Sequence, residues 1–127
     1  MFPNIKVLVV DDHEFLREAF KKLLEFLGVV EISMAAEGGA ALEILRNGNF
    51  DLVMTDRSMP PGMGGFELIR QIREDRNLEG LKIILMTAED RQSWESRALQ
   101  AGADAFLSKP FRLEELEALL KQMFPNE

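Results

Sequence analysis

The sequence contains no cysteine and has a single histidine, His13. The absence of cysteine excludes disulfide bonds, thiolate metal sites and cysteine catalysis, and the single imidazole excludes a metal site built from several histidines. Basic residues are in the minority, since 15 lysine and arginine residues face 22 aspartate and glutamate residues, for a formal net charge of −7. Nucleic acids and anionic membranes attract clustered basic side chains, so neither is expected as the main partner.

Long apolar runs are also missing. The apolar segment at residues 7–10 is too short for a signal peptide or a membrane span, and we therefore expect a cytoplasmic protein. A chain of 127 residues that is 46% hydrophobic and 29% charged is typical of one globular domain. We expect a single domain over residues 1–127, with its core over 5–124 and no output domain after the last helix.

Short apolar runs do recur along the chain. Four of them, at 5–10, 52–54, 83–86 and 105–107, predict strands that are buried on both faces of a parallel sheet. In the segment 29–34 two sets of side chains alternate, which predicts a more exposed strand at an edge of the sheet. The alternating set there is Val30, Ile32 and Met34.

Amphipathic patterns with helical spacing lie between and after these runs. The alternation of five strands with five helices predicts an α/β fold in which helices cover both faces of the sheet. The five apolar stripes are Leu16, Phe20, Leu23 and Leu27; Ala41, Ile44 and Leu45; Phe66, Ile69 and Ile72; Trp94, Ala98 and Ala101; and Leu113, Leu116, Leu120 and Met123.

Polar side chains follow the predicted strands at the points where these strands end. Asp11 and Asp12 follow the first strand, and Asp56 ends the third. Thr87 ends the fourth strand, and Lys109 follows the fifth. Parallel strands bring their carboxyl ends to one rim, where open α/β sheets bind ligands. Each residue alone is more simply a helix cap or a turn residue, whereas the five together indicate a site.

The charges at these strand ends favour a phosphoryl site that holds a divalent cation. Two carboxylates about 4 Å apart repel by roughly 4 kcal/mol at an effective dielectric constant near 20, so three carboxylates require a counter-charge or raised pKa values. Mg²⁺ takes oxygen ligands and often shares them with a phosphate, and aspartate is a known phosphoryl-accepting nucleophile. The Lys109 ammonium and the Thr87 hydroxyl are suited to phosphoryl oxygens.

Five short motifs surround these residues: Val9-Val10-Asp11-Asp12, Asp56-Arg57-Ser58-Met59-Pro60, Thr87-Ala88, Gly102-Ala103 and Lys109-Pro110-Phe111. Each motif is weak alone, but together they closely resemble the receiver domain of two-component response regulators, over essentially all of residues 5–124. The resemblance implies a flavodoxin-like, doubly wound sheet of five parallel strands in the order 2-1-3-4-5, with five helices.

The resemblance also implies the chemistry of the site. Asp56 would accept a phosphoryl group from a phosphohistidine on a sensor histidine kinase or a histidine phosphotransfer protein. Asp12, Asp56 and the backbone carbonyl of Ser58 would ligate Mg²⁺ or Mn²⁺, with Asp11 helping partly through water. Lys109 would pair with the phosphate. The chain would thus be a signalling module that catalyses only its own phosphorylation and dephosphorylation.

Activation in the resembled family is a population shift. Thr87 would bind a phosphoryl oxygen and move inward, and Phe106 would turn into the space that it leaves. The face made by the fourth helix, the fifth strand and the fifth helix would then change and pass the state to a separate, unknown protein. The bond between Lys109 and Pro110 is expected to be cis, and the chain is expected to be a monomer or a weak dimer.

One loop departs from the family pattern. The loop at 59–65 is one residue longer because of Pro61, and Gly64 replaces the usual acidic residue. We expect this change to alter pairing with kinases or phosphatases more than the chemistry. Ser58 and Glu89 occupy the two positions that tune the dephosphorylation rate in this family, or they are simply exposed loop residues.

His13 and Trp94 have simple interpretations. His13 is expected to be an exposed residue of the first helical turn, and a catalytic role is the weaker alternative. Trp94 is expected to pack within or on the fourth helix, and a contact with a partner protein remains open.

Other functions remain as alternatives. A Mg²⁺-dependent phosphohydrolase with Asp56 as nucleophile would usually carry a second acid at position 58, where this chain has Ser58. A flavin carrier on the same sheet would bind a phosphate at the first loop, which is acidic here. A receiver-like scaffold that is never phosphorylated would not need all five polar residues.

Overall fold

The computed structural model describes residues 2–60, 62–88 and 91–126, without the side chains of residues 91–93. Strands and helices alternate over these residues, as the apolar patterning predicts. The strands are β1 (Lys6–Val10), β2 (Glu31–Ala35), β3 (Leu52–Asp56), β4 (Lys82–Thr87) and β5 (Ala105–Ser108). The helices are α1 (Glu14–Phe26), α2 (Gly38–Arg46), α3 (Gly65–Glu74), α4 (Arg91–Ala101) and α5 (Leu113–Met123), with a 3₁₀ turn at Arg76–Leu78.

The five strands form one parallel sheet in the order β2-β1-β3-β4-β5, which confirms the predicted fold and strand order. Every neighbouring pair of strands is parallel, so all five strands point the same way. Their carboxyl ends therefore form a single rim. Within the described parts of the chain, no helix has both the length and the hydropathy that a membrane crossing requires.

The central strands are buried on both faces, as their continuous apolar runs predict. Val53 and Leu85 belong to the core that includes residues of α2, α3 and α4. Met54 and Met86 belong to the opposite core, which includes residues of α1 and α5. Full burial of each such side chain contributes about 1.5–3 kcal/mol, so the two cores hold the strands, and with them the rim, in a fixed register.

The edge strand differs from its prediction at one end. β2 lies at the edge of the sheet, as predicted, but it begins at Glu31. Val29 is buried in the core beside α1, whereas Val30 is 74% exposed. Alternation of side chains between two faces holds only where the backbone is a strand, and the segment becomes one after Val30.

Candidate functional site

The carboxyl ends of four strands bring the predicted polar residues into one place. Asp11 directly follows β1, Asp56 is the last residue of β3, and Thr87 is the last residue of β4. The register pairs Thr87 with Ser108, so Lys109 comes directly after the rim on the neighbouring strand. The sheet, rather than the local sequence, therefore assembles the site.

Lys109 bridges two of the predicted carboxylates. Its Nζ lies 3.1 Å from Asp11 Oδ2 and 3.0 Å from Asp56 Oδ1. The Asp11 side chain is fully buried, and the side chains of Asp56 and Lys109 are each 10% exposed. Buried charges require partners, so one ammonium and two carboxylates, distant in sequence, form a single electrostatic unit.

Two of the three groups in this unit, Asp56 and Lys109, have shifted pKa values. Burial raises the pKa of the Asp56 carboxyl, and the negative charge of Asp11 adds to the rise, although Lys109 and the Arg57 backbone amide oppose it. Burial alone would lower the pKa of Lys109, but hydrogen bonds and charge attraction from Asp56 and Asp11 outweigh burial and raise it. A single ammonium thus incompletely neutralises the two acids.

The donor atoms beside this unit fit a divalent cation. One ligand atom from each of Asp11, Asp12, His13 and Asp56 lies within 4.8 Å of the others. Asp12 Oδ1 is 3.0 Å from His13 Nδ1, yet it is buried and accepts no well-aligned hydrogen bond from the described residues. Proximity without alignment leaves its lone pairs available to a cation. Three carboxylates are a donor set that suits Mg²⁺ or Mn²⁺.

Asp12, Asp56, Thr87 and Lys109 line an open pocket with a volume of about 340 Å³. Ser58 also lines the pocket, as the resemblance implies, together with two residues that the sequence reasoning missed, His13 and Arg57. The His13 side chain is 65% exposed, as predicted, but it borders the pocket as well. Both residues could have been found from their positions in the sequence, because His13 directly follows Asp12 and Arg57 directly follows Asp56.

The remaining predicted features lie around the pocket. Phe106 is 2% exposed and belongs to the core that α2, α3 and α4 share. The peptide bond between Lys109 and Pro110 is cis, as expected. Pro61 and Glu89 lie outside the described residues.

The backbone after β3 returns close to the strand at Gly65, the first residue of α3. The Gly65 N–H donates to the Arg57 carbonyl oxygen at 2.8 Å. A Cβ at this position would collide with the Asp56 carbonyl oxygen and would approach a Leu85 methyl carbon to 2.9 Å. The missing side chain therefore allows α3 to begin directly beside Asp56.

The sequence model of the response regulator receiver domain matches residues 7–121. The chain belongs to the response regulator receiver domain family. It is 38% identical to the chemotaxis protein CheY of Pseudomonas aeruginosa, over 94% of this chain and 96% of that protein. It is 39% identical to the chemotaxis protein CheY-3 of Vibrio cholerae, over 95% and 92% of the two chains. The solved structure of a putative response regulator from Chloroflexus aurantiacus matches with a TM-score of 0.90 at 28% identity, over 98% of this chain and all of the other.

Membership in this family establishes the class of function. The chain is a receiver domain of a two-component system, a signalling module activated by phosphorylation. Such receiver domains accept phosphoryl groups from histidine kinases and act on downstream targets, and the family binds Mg²⁺ at an acidic pocket. The comparisons give no support to the phosphohydrolase, flavin-carrier and scaffold alternatives.

Proposed function

We propose that Asp56 is the phosphoacceptor of this receiver domain and that its phosphoryl donor is a phosphohistidine on a sensor kinase or a phosphotransfer protein. The observation that carries this assignment is the position of Lys109 Nζ between Asp11 and Asp56, at 3.1 and 3.0 Å. Asp56 also lines an open pocket, so a donor can approach it.

The transfer step requires one bond to form and one to break. A carboxylate oxygen of Asp56 attacks the phosphorus atom, and the phosphorus–nitrogen bond of the donor breaks. Its electron pair returns to the donor imidazole, which leaves as a neutral ring when its other nitrogen carries a proton. Little covalent assistance is needed from the protein, because positioning and charge neutralisation dominate such transfers.

The neighbouring residues supply that positioning and charge. Lys109 already lies against Asp56 and neutralises the phosphoryl oxygens. The buried Thr87 hydroxyl, at the end of the next strand, donates to one of them. Asp11, Asp12, Asp56 and the Ser58 carbonyl hold Mg²⁺ or Mn²⁺. The bound ion contributes positive charge that offsets the charge of the phosphoryl group.

The output of this site is a change of surface. Thr87 and Phe106 form the switch, and the face of α4, β5 and α5 carries the state to a separate downstream protein. Residues 1–127 act as one receiver domain, with a core over 5–124, and they catalyse only their own phosphorylation and dephosphorylation. The chain works as a monomer or a weak dimer.

Phosphorylation from a small donor tests the assignment directly. Purified protein is incubated with acetyl phosphate and Mg²⁺ and analysed by intact mass. We expect one phosphoryl adduct, which requires Mg²⁺ and is absent from Asp56→Asn. Asp12→Asn should form the adduct more slowly at limiting Mg²⁺ because it replaces a charged carboxylate ligand with a weaker, neutral amide oxygen.

Asp51→Asn is the matched control, since Asp51 precedes β3 at the opposite end of the strand and should leave the adduct unchanged. An adduct that persists in Asp56→Asn would refute the assignment. Wild-type protein that binds Mg²⁺ but forms no adduct would support the scaffold instead. Continuous turnover of many phosphoesters would indicate a hydrolase.

A further inference from the structure

Trp94 on α4 lies at the centre of an aromatic and cationic stack. The Arg57 guanidinium carbon is 4.3 Å from the centroid of the Trp94 ring, and that of Arg97 is 4.5 Å away. The Phe66 ring of α3 lies beside the indole, with 5.9 Å between centroids. Guanidinium groups at such distances from an indole are attracted to its π face.

Arg57 connects this stack to the proposed phosphorylation site. It is the residue after Asp56, and Arg57 and Ser58 both line the pocket. Its backbone is fixed at both ends, because its N–H donates to the Met86 carbonyl at 3.0 Å and its carbonyl accepts from Gly65 at 2.8 Å. The Arg57 side chain on the indole therefore ties the start of the β3–α3 loop to α4.

α4 has few other deep attachments among the side chains that the structure describes. Of residues 94–101, Ala98 alone is fully buried, and Leu99 is 48% exposed. By contrast, α3 buries Leu68, Ile69 and Ile72 completely. Because alanine buries little apolar area, the contacts of Trp94 form a large part of what positions α4 against the loop.

We propose that Trp94 is a positioning residue for the phosphorylation site. Through its contact with Arg57, Trp94 holds the loop that carries the metal-binding carbonyl of Ser58. The inference rests on the function proposed above. Coupling between two sites is reciprocal. If the Trp94–Arg57 contact favours the loop conformation that binds Mg²⁺, Mg²⁺ binding must in turn change the contact and the environment of the indole.

Tryptophan fluorescence tests this reciprocity. The sequence has one tryptophan and no tyrosine, so the emission reports on the environment of Trp94. Protein is titrated with Mg²⁺ and then with beryllofluoride while Trp94 fluorescence and calorimetric Mg²⁺ binding are recorded. We expect a saturable change in emission that follows the calorimetric binding curve. Constant emission during saturation of the calorimetric signal would overturn the proposal.

Substitutions test the opposite direction of the coupling. Trp94→Leu should weaken Mg²⁺ binding about two- to tenfold, the range expected from loss of a cation–π contact, and Trp94→Phe should restore most of it. Arg97→Gln is the matched control because Arg97 contacts the same indole but, unlike Arg57, is not among the residues that line the pocket, and it should leave Mg²⁺ affinity within about twofold. Wild-type affinity in Trp94→Leu would refute the positioning role.

The phosphoryl adduct separates the two proposals. Trp94→Leu should still form the adduct on Asp56 at saturating Mg²⁺, and thermal unfolding should confirm that the variant is folded. If the wild-type protein takes up neither Mg²⁺ nor a phosphoryl group, the proposed function fails and the positioning role fails with it. If the wild type takes up both and Trp94→Leu behaves identically, only the positioning role fails.

Discussion

At the scale of single residues, the surroundings of Asp56 act on its pKa in opposite directions. Burial and the Asp11 charge raise its pKa, and the Lys109 ammonium, 3.0 Å away, lowers it without cancelling the rise. The folded protein therefore favours the neutral form of this carboxyl more than the unfolded chain does. Ionised Asp56 thus costs stability, and the proposed nucleophile requires that ionised form.

Asp56→Asn should remove this cost in metal-free buffer. A raised folded-state pKa contributes stability that is present below the unfolded value of 3.8 and is lost as pH rises through the folded value. The stability of the variant relative to wild type should therefore increase between pH 4 and neutral pH. Lys109 adds no slope in that interval, because its raised pKa lies above 10.5.

Urea unfolding in the presence of EDTA, across this pH range, measures the effect. The acidic end of the series is an internal control, since the neutral form of wild-type Asp56, whose share grows as pH falls, resembles asparagine. A relative gain by the wild type as pH rises would contradict the shift.

The sequence predicted the charged residues of the site better than their neighbours. Asp11, Asp56 and Lys109 each lie within two residues of the end of an apolar run, so parallel strands alone bring them together. The contact between Arg57 and Trp94 left no such signal, because it depends on the direction of two long side chains from different elements. Periodicity encodes the face of a helix but not which cation lies over an aromatic ring.

At the scale of elements, the start of α3 depends on a close approach of two backbone segments. Gly65→Ala places a methyl group against the Asp56 carbonyl, 2.9 Å from Leu85 Cδ1 and 3.1 Å from Arg57 Cα. Since two of these neighbours are backbone atoms, we expect a loss of about 1–3 kcal/mol in the free energy of unfolding. Urea unfolding with EDTA at neutral pH measures the loss.

Gly62→Ala is the control from the same loop, because a Cβ there meets nothing within 4 Å. We expect it to change the free energy of unfolding by less than about 0.5 kcal/mol. Equal losses in both variants would show that loop flexibility, rather than the close approach to Asp56, accounts for the effect.

The elements themselves were predictable where the apolar pattern was long or continuous. The four buried strands and the order of the sheet are confirmed. The apolar stripe of α1 proved wider than predicted, since Leu24 is fully buried beside Phe20. β2 was less well bounded, because Val29 and Val30 have the same hydropathy but opposite exposure. Short apolar segments do not specify where an extended backbone begins.

At the scale of the whole molecule, negative charge is in excess and part of it converges on one pocket. The chain carries a net charge of −7, and self-repulsion among such charges opposes folding. Asp11, Asp12 and Asp56 add a local repulsion that Lys109 offsets only in part. A divalent cation in that pocket should therefore stabilise the entire fold, because it binds the folded chain and not the unfolded one.

Mg²⁺ at ten times its dissociation constant should stabilise the protein by about 1.4 kcal/mol. For a chain of this length the corresponding rise in Tm is about 4–6 °C, measurable by calorimetry. General screening of the net charge would also raise Tm, so NaCl at matched ionic strength gives the baseline. Asp12→Asn keeps most of the net charge but exchanges a carboxylate ligand for a weaker, neutral amide oxygen, and its Mg²⁺-specific gain should be much smaller. Equal gains in NaCl, or in Asp12→Asn, would mean that the ion acts on the overall charge and not in the pocket.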